Sequence, residues 1–251
     1  MAKPNGIEHF SDFFRAHQKD YVIIGGSAAS ILLEDEGLGF RKTVDLDVVL
    51  LTNASSGFNA KISEYLKLGS YQSKEETGEM PKYYRFSNPR DPVFPEMIEI
   101  FAKNESKIEL NEGQNIIPIQ NDEMAKISAI LLDDEYFELL KANAIQSKEG
   151  FSILNNFSNI CIKARAFREI SERGGEEKKS NKHRNDIVRL TQTFKPSAVF
   201  TIGGVPLKDL LFVISDIENK LQDRDVKNIL RNGVLKHKDI VETLKKGFGL
   251  M

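Results

Sequence analysis

The chain has 251 residues, 40% of them hydrophobic and 29% charged, with a formal net charge of −2. That suits one large globular domain or two small ones, and the near balance of charge excludes whole-molecule attraction to nucleic acid or anionic membrane. A single cysteine, Cys161, excludes an intramolecular disulfide and a cysteine zinc cluster. No run approaches the roughly 18 apolar residues of a membrane span. The opening "MAKPNGIEHFSDFFRAHQKD" is polar, so the expectation is a cytoplasmic protein.

Ile7, Phe10, Phe13 and Phe14 have helical spacing. Residues 21–24 form a short β-type run that ends in Gly25-Gly26-Ser27. A helical pattern follows over 27–33, with Ser27 as its expected N-terminal cap. A polar, glycine-bearing loop then leads to a strand over 44–51, and residues 58–68 read as a helix. "KYYRFSN" and "EMIEIFAK" are β-type runs joined by the proline-rich "PRDPVFP", and "NIIPI" is a further short strand. After residue 121 helical patterns dominate, over 122–132, 134–144, 155–173, 181–194, 206–221, 225–232 and 238–248. "SERGGEEKKSNKHRN" reads as a charged connector between two of these helices, and "TIGGVPL" as a plain loop. The expectation is an α+β chain, with a small mixed-sheet domain over residues 1–120 and a helical bundle over 121–251.

The strand over 44–51 carries Asp45 and Asp47 inside an apolar run. Side chains alternate faces along a strand, so both carboxylates share one face and Leu46 and Val48 the other. Like charges that close repel unless a cation lies between them, and a divalent ion held by oxygen ligands, Mg²⁺ or Mn²⁺, is the natural partner. The bland alternative is a strand end open to water. Gly25 and Gly26 let backbone approach a ligand, and the helix start at Ser27 favours an anion such as phosphate. Together the two features put a phosphate cradle beside a metal site. In "EMIEIFAK", Ile98 and Ile100 face one way and Glu99 the other, which makes Glu99 the candidate third carboxylate. Glu96 is the runner-up.

The order Gly-Gly-Ser, helix, then Asp-X-Asp on the next strand resembles the signature of the DNA polymerase β-like nucleotidyltransferase superfamily. "ICIKARAFREIS" followed by "NKHRNDIVRL" is similar to segments of AbiEii-type nucleotidyltransferases, among them the toxin halves of bacterial abortive-infection toxin–antitoxin systems. Helical stripes built on Phe167 and Ile170, and on Ile187, Leu190 and Phe194, would bring Lys163 and Asp186 together if they pack. The bland reading of that pair is an inter-helix ion pair.

The resemblance implies a polymerase β-like domain followed by a helical bundle. It implies transfer of an NMP group from an NTP to an acceptor hydroxyl on RNA, tRNA or protein, with an antitoxin protein as partner. Asp45, Asp47 and Glu99 would hold the metal, Gly25, Gly26, Ser27 and Lys163 the nucleotide, and Asp186 would support Lys163 or contact the acceptor. The competing expectation is a nucleotide-binding or regulatory module of the same fold with a weak or lost active site, since Glu99 stands where Asp is commoner. Arg41, Lys42 and Arg85 are candidate phosphate contacts. The basic residues clustered over 163–189 are either a guide for an RNA backbone or a solvated surface. Four histidines, His9, His17, His183 and His237, are scattered without metal-like spacing.

Overall fold

Alternating apolar residues give the central strands two buried faces, and the chain covers both with helices. The computed structural model describes residues 3–51, 56–73, 85–101, 109–111, 114–115, 134–195, 197–231 and 235–251. In order these form α1 (Ile7–Phe13), β1 (Tyr21–Ile23), α2 (Gly25–Asp35), β2 (Asp45–Leu50), α3 (Ser56–Leu68), β3 (Gln72–Ser73), β4 (Arg85–Ser87) and β5 (Met97–Phe101). A separate two-stranded ribbon follows, β6 (Glu109–Asn111) with β7 (Gln114–Asn115). Then come α4 (Asp134–Ala142), β8 (Ala144–Gln146), β9 (Ser152–Leu154), α5 (Asn156–Glu172), α6 (Glu177–Leu190), α7 (Gly204–Lys220), α8 (Asp223–Leu230) and α9 (His237–Gly247). The architecture is α+β around a mixed seven-stranded sheet ordered β3-β4-β5-β2-β1-β9-β8. The helix expected over 122–132 and residues 116–119 of "NIIPI" lie outside the described residues.

The sheet's two faces sort by residue parity. Tyr21, Ile23, Leu46, Val48, Leu50, Ile98 and Ile100 join the core that Ile7, Phe10 and Phe14 of the N-terminal segment and Phe58, Ile62 and Tyr65 of α3 complete. Val22, Val49 and Phe101 face the other way and join the core built by α4 to α9. By the same alternation Asp45, Asp47 and Glu99 lie on this second face. β2 pairs parallel with β5, and the register sets Asp47 beside Glu99. The apolar ends of the two strands thus run under the helices while their acidic residues face the cleft between sheet and helices.

The purely helical expectation after residue 121 is corrected by β8 and β9. β9 pairs parallel with β1 and extends the sheet. Both strands have three residues, too short for alternation to stand out, and a turn with Gly150 at φ +83° joins them. Ser152 Oγ donates to the Tyr21 carbonyl at 2.8 Å and locks β9 to β1. Directly afterwards Asn155 caps α5, its side chain accepting from the Ser158 N–H at 2.8 Å. A strand of the sheet therefore feeds straight into the helix that carries Lys163.

Two further expectations are corrected. The charged connector is shorter than expected, because α6 starts at Glu177. An acidic residue in the first turn suits the positive end of the helix dipole. Lys178 and Lys179 consequently stand on the same helix as Lys182 and His183 and not in a loop. "TIGGVPL" is also more than a loop, since Gly204, at φ +55°, opens α7. The Glu135 carboxylate accepts from the Val205 N–H at 2.7 Å and satisfies that helix start.

Cys161 is buried, as its helical context predicts. Beside it, the wholly buried Asp209 accepts from the Tyr136 hydroxyl at 2.8 Å and from Arg168 at 3.0 Å, and Arg165 lies at 3.4 Å. Each partner has a second acceptor. Arg165 pairs with Glu169, Arg168 with Glu172, and the Tyr136 hydroxyl lies 3.2 Å from the Cys161 carbonyl. Asp209→Ala is therefore expected to cost only about 1–3 kcal/mol, measured by urea denaturation.

Candidate active site

The site begins at the turn between β1 and α2. Ile24 follows the strand in extended geometry, and its N–H donates to the Asp47 carbonyl at 3.0 Å. Gly25 then takes φ +67°, which only glycine adopts at little cost, and α2 starts there. A Cβ on Gly25 would sit 2.3 Å from Asp47 Oδ2. The glycine is what allows that carboxylate to lie against the helix start.

This geometry corrects the role expected of Ser27. Ile24 occupies the cap position, and Ser27 lies in the first turn with its side chain fully buried. Its hydroxyl donates to the Asp45 carbonyl and ties α2 to β2. The positive φ at Gly25 turns the chain into a helix two residues before the serine. What remains for a ligand at this turn is glycine backbone.

A cavity of about 190 Å³ opens beside the turn. On the sheet side it is lined by Gly25, Gly26, Asp45, Asp47, Glu99 and Arg85. α5 contributes Ile162, Lys163, Ala166 and Ile170, α6 contributes Lys179, Lys182 and His183, and the loop before β2 contributes Arg41 and Thr43. The structure thus brings Gly25, Gly26, Asp45, Asp47, Glu99 and Lys163 to one cavity. Asp186 stands directly behind Lys163. Lys42 and Glu96 are exposed and do not line it.

The electrostatics of the sheet side are unfavourable as they stand. Burial pushes the Asp47 carboxyl well above the ordinary range, and the charges of Glu99 and Asp45, with a hydrogen bond to Glu99, push it further. Glu99 is buried and takes Arg85 as its counter-ion, with contacts of 2.6 Å from Nε and 2.5 Å from a terminal nitrogen. Arg85 faces Glu99 across the β4–β5 ladder, which fixes the pair. Among the described residues Asp45 and Asp47 share no such arginine clamp.

Across the cavity the sign inverts. Lys163 Nζ donates to Asp186 Oδ2 at 3.0 Å, and the two side chains are 4% and 0% exposed. Arg41 donates to both Asp186 oxygens, at 2.9 and 3.3 Å, and Arg189 donates to Oδ1 at 3.0 Å. Burial alone would raise the Asp186 carboxyl, but Lys163 and Arg41 hold it well below the ordinary range. Burial lowers the Lys163 ammonium, against the attraction of Asp186. The pair expected from helical spacing is present, and burial separates it from an exposed ion pair of little worth.

Two carboxylates on one strand, with a third beside them, form a hard oxygen donor set of the kind Mg²⁺ takes together with substrate phosphates and waters. Among the described residues no group of three or more His, Cys, Asp or Glu is arranged to hold a metal by itself.

Reasoning from sequence placed Arg189 in a basic cluster but missed its bond to Asp186, named Ile170 but missed Ile162 and Ala166 beside it on the cavity wall, and gave His183 no role. Arg41 was a candidate phosphate contact, whereas its guanidinium is held by Asp186. Only packing links Arg41 to a residue 145 positions later. Compared with protein-family models, with curated proteins and with solved structures, the chain matches none of them.

Two outcomes follow. Asp186→Ala strands Lys163 in the interior and costs about 3–5 kcal/mol, read from denaturant unfolding. Asp47 has a native value above its unfolded one, so the native state binds the extra proton and gains stability as pH falls toward the ordinary 3.8. Asp47→Asn therefore raises the melting temperature in chelator by a few degrees at about pH 8, and the advantage shrinks toward about pH 5. An advantage that grows on acidification contradicts this electrostatic account.

Proposed function

We propose that the protein is a Mg²⁺-dependent nucleotidyltransferase with a polymerase β-like catalytic domain and a helical C-terminal part. It would transfer an NMP group from an NTP to an acceptor hydroxyl. One observation carries the reading. Asp45 and Asp47 repel each other on one wall of a cavity whose opposite wall holds a buried lysine, with a glycine helix start between them. A metal–triphosphate complex matches both signs at once.

In this reading Asp45 and Asp47 hold the metal, with Glu99 beside them. When bound, Mg²⁺ neutralises charge on the triphosphate and aligns it for displacement. The backbone of Gly25 and Gly26 and the N-terminus of α2 receive phosphate oxygens. Lys163, fixed by Asp186, offsets the negative charge that develops during transfer. The acceptor oxygen bonds to the α-phosphorus and the bond to the β-phosphate oxygen breaks. Pyrophosphate leaves, and the hydroxyl proton passes to Glu99.

RNA or tRNA is the acceptor this reading favours over protein. A groove of about 540 Å³ along α6 shares Arg41 and Lys182 with the cavity and is lined by Lys178, Lys182, Asn181, Asn185 and Glu177, with Arg41 and Arg189 paired to Asp186 behind them. Such a strip suits a phosphate backbone. At the cellular level the reading extends to a toxin restrained by an antitoxin protein. A second reading, a nucleotide-binding module without transfer, is favoured by one observation: Arg85 already neutralises the third carboxylate.

Incubation of the protein with each α-labelled NTP, Mg²⁺ and total RNA or lysate tests the proposal. The wild type is expected to label an acceptor, and Asp45→Ala and Asp47→Ala are expected to lose at least about a hundredfold of that rate while staying folded. Full activity in Asp47→Ala overturns it. Tight NTP binding with no labelled species favours the module.

A further inference from the structure

The helical wall of the cavity is not uniformly cationic. Ile162, Ala166 and Ile170 follow one another at intervals of four on α5 and form a single apolar stripe facing the cavity. His183 of α6 lines the same cavity. Among the described residues its ring nitrogens have no hydrogen-bond partner, although the ring is partly buried. Burial, and then the Lys163 cation, push its imidazole down to about 3, against a smaller opposing pull from Asp186. The ring is therefore neutral at physiological pH, with one nitrogen a donor and the other an acceptor.

A neutral imidazole without a partner among the described residues, beside an apolar stripe, is poorly suited to a phosphate, which Lys163, Lys179 and Lys182 serve better from the same walls. It is suited to a flat heterocycle with donors and acceptors on its edge. Ligand sites commonly combine an apolar wall with a few placed polar groups in this way. We propose that Ile162, Ala166 and Ile170 receive the nucleobase of the NTP and that His183 reads its hydrogen-bonding edge, making it a specificity-determining residue. This inference rests on the nucleotidyltransferase reading and adds to it where the base lies and what selects it.

The test is calorimetric titration of the full chain with each of the four NTPs and with inorganic tripolyphosphate, all with Mg²⁺. The variants are wild type, His183→Ala and His183→Gln, each checked for folding by its melting curve. The wild type is expected to prefer one or two bases by about tenfold, the value of roughly one hydrogen bond. His183→Ala is expected to lose that preference and weaken the preferred NTP about tenfold while leaving tripolyphosphate unchanged. His183→Gln, which keeps a donor and an acceptor, is expected to retain part of the affinity. Equal weakening of tripolyphosphate and NTP by His183→Ala would assign the residue to the phosphates and overturn the inference alone. So would NTP binding by the wild type without any base preference. No NTP binding by folded wild type overturns the nucleotidyltransferase reading together with it.

Discussion

The buried carboxylate of Asp186 fixes the geometry of the cavity. It accepts from Lys163 of α5, Arg41 of the loop before β2 and Arg189 of its own helix. With no exposure, that carboxylate needs its cations, and the buried Lys163 needs Asp186. Mutual need in a low-dielectric interior holds three separate segments in one arrangement. Loosening any of them would move Arg41 and the strand that follows it, and with that strand Asp45 and Asp47. An interaction that reads as structural therefore sets the distance between the acidic and basic walls.

The acidic wall carries the opposite imbalance. The chain gathers three carboxylates on adjacent strands by parallel pairing of β2 with β5, and among the described residues one arginine, Arg85, pairs with one of them, Glu99. The excess negative charge is costly in isolation, as the raised Asp47 carboxyl registers. Cost of this kind concentrates where a ligand completes the site. The glycine at position 25 has the same character. It accepts a left-handed backbone so that the Asp47 carboxylate can lie against a helix start. Gly204 repeats the device with Glu135 at the start of α7, where an internal carboxylate accepts from the Val205 N–H.

Much of this was legible in the sequence because it depends on short-range periodicity. Alternation along 45–50 and 97–101 put Asp45, Asp47 and Glu99 on one face, and the strands carry them there. Helical stripes predicted the approach of Lys163 to Asp186, and packing of α5 on α6 delivers it. What escaped depends on long-range assembly or on backbone geometry. The strands over 144–146 and 152–154 are too short to show a period, and only the pairing of β9 with β1 and of β8 with β9 makes them strands. Arg41 meets Asp186 across 145 residues. Ser27 looked like a cap because serine favours that position, but the positive φ at Gly25 moved the helix start ahead of it. His183 looked inert because a lone histidine carries no spacing. Its setting emerges only when α5 and α6 close over the sheet.

In the proposed reading the acidic wall is the half of the site that binds a metal and its nucleotide. Titration of Mn²⁺ into the protein, with free ion followed by electron paramagnetic resonance in the presence and absence of an NTP, tests it most directly. The wild type is expected to deplete free Mn²⁺ beyond a protein-free control at the same NTP concentration, and Asp45→Ala and Asp47→Ala are expected to match that control. Equal depletion by the wild type and by the folded aspartate variants would contradict it.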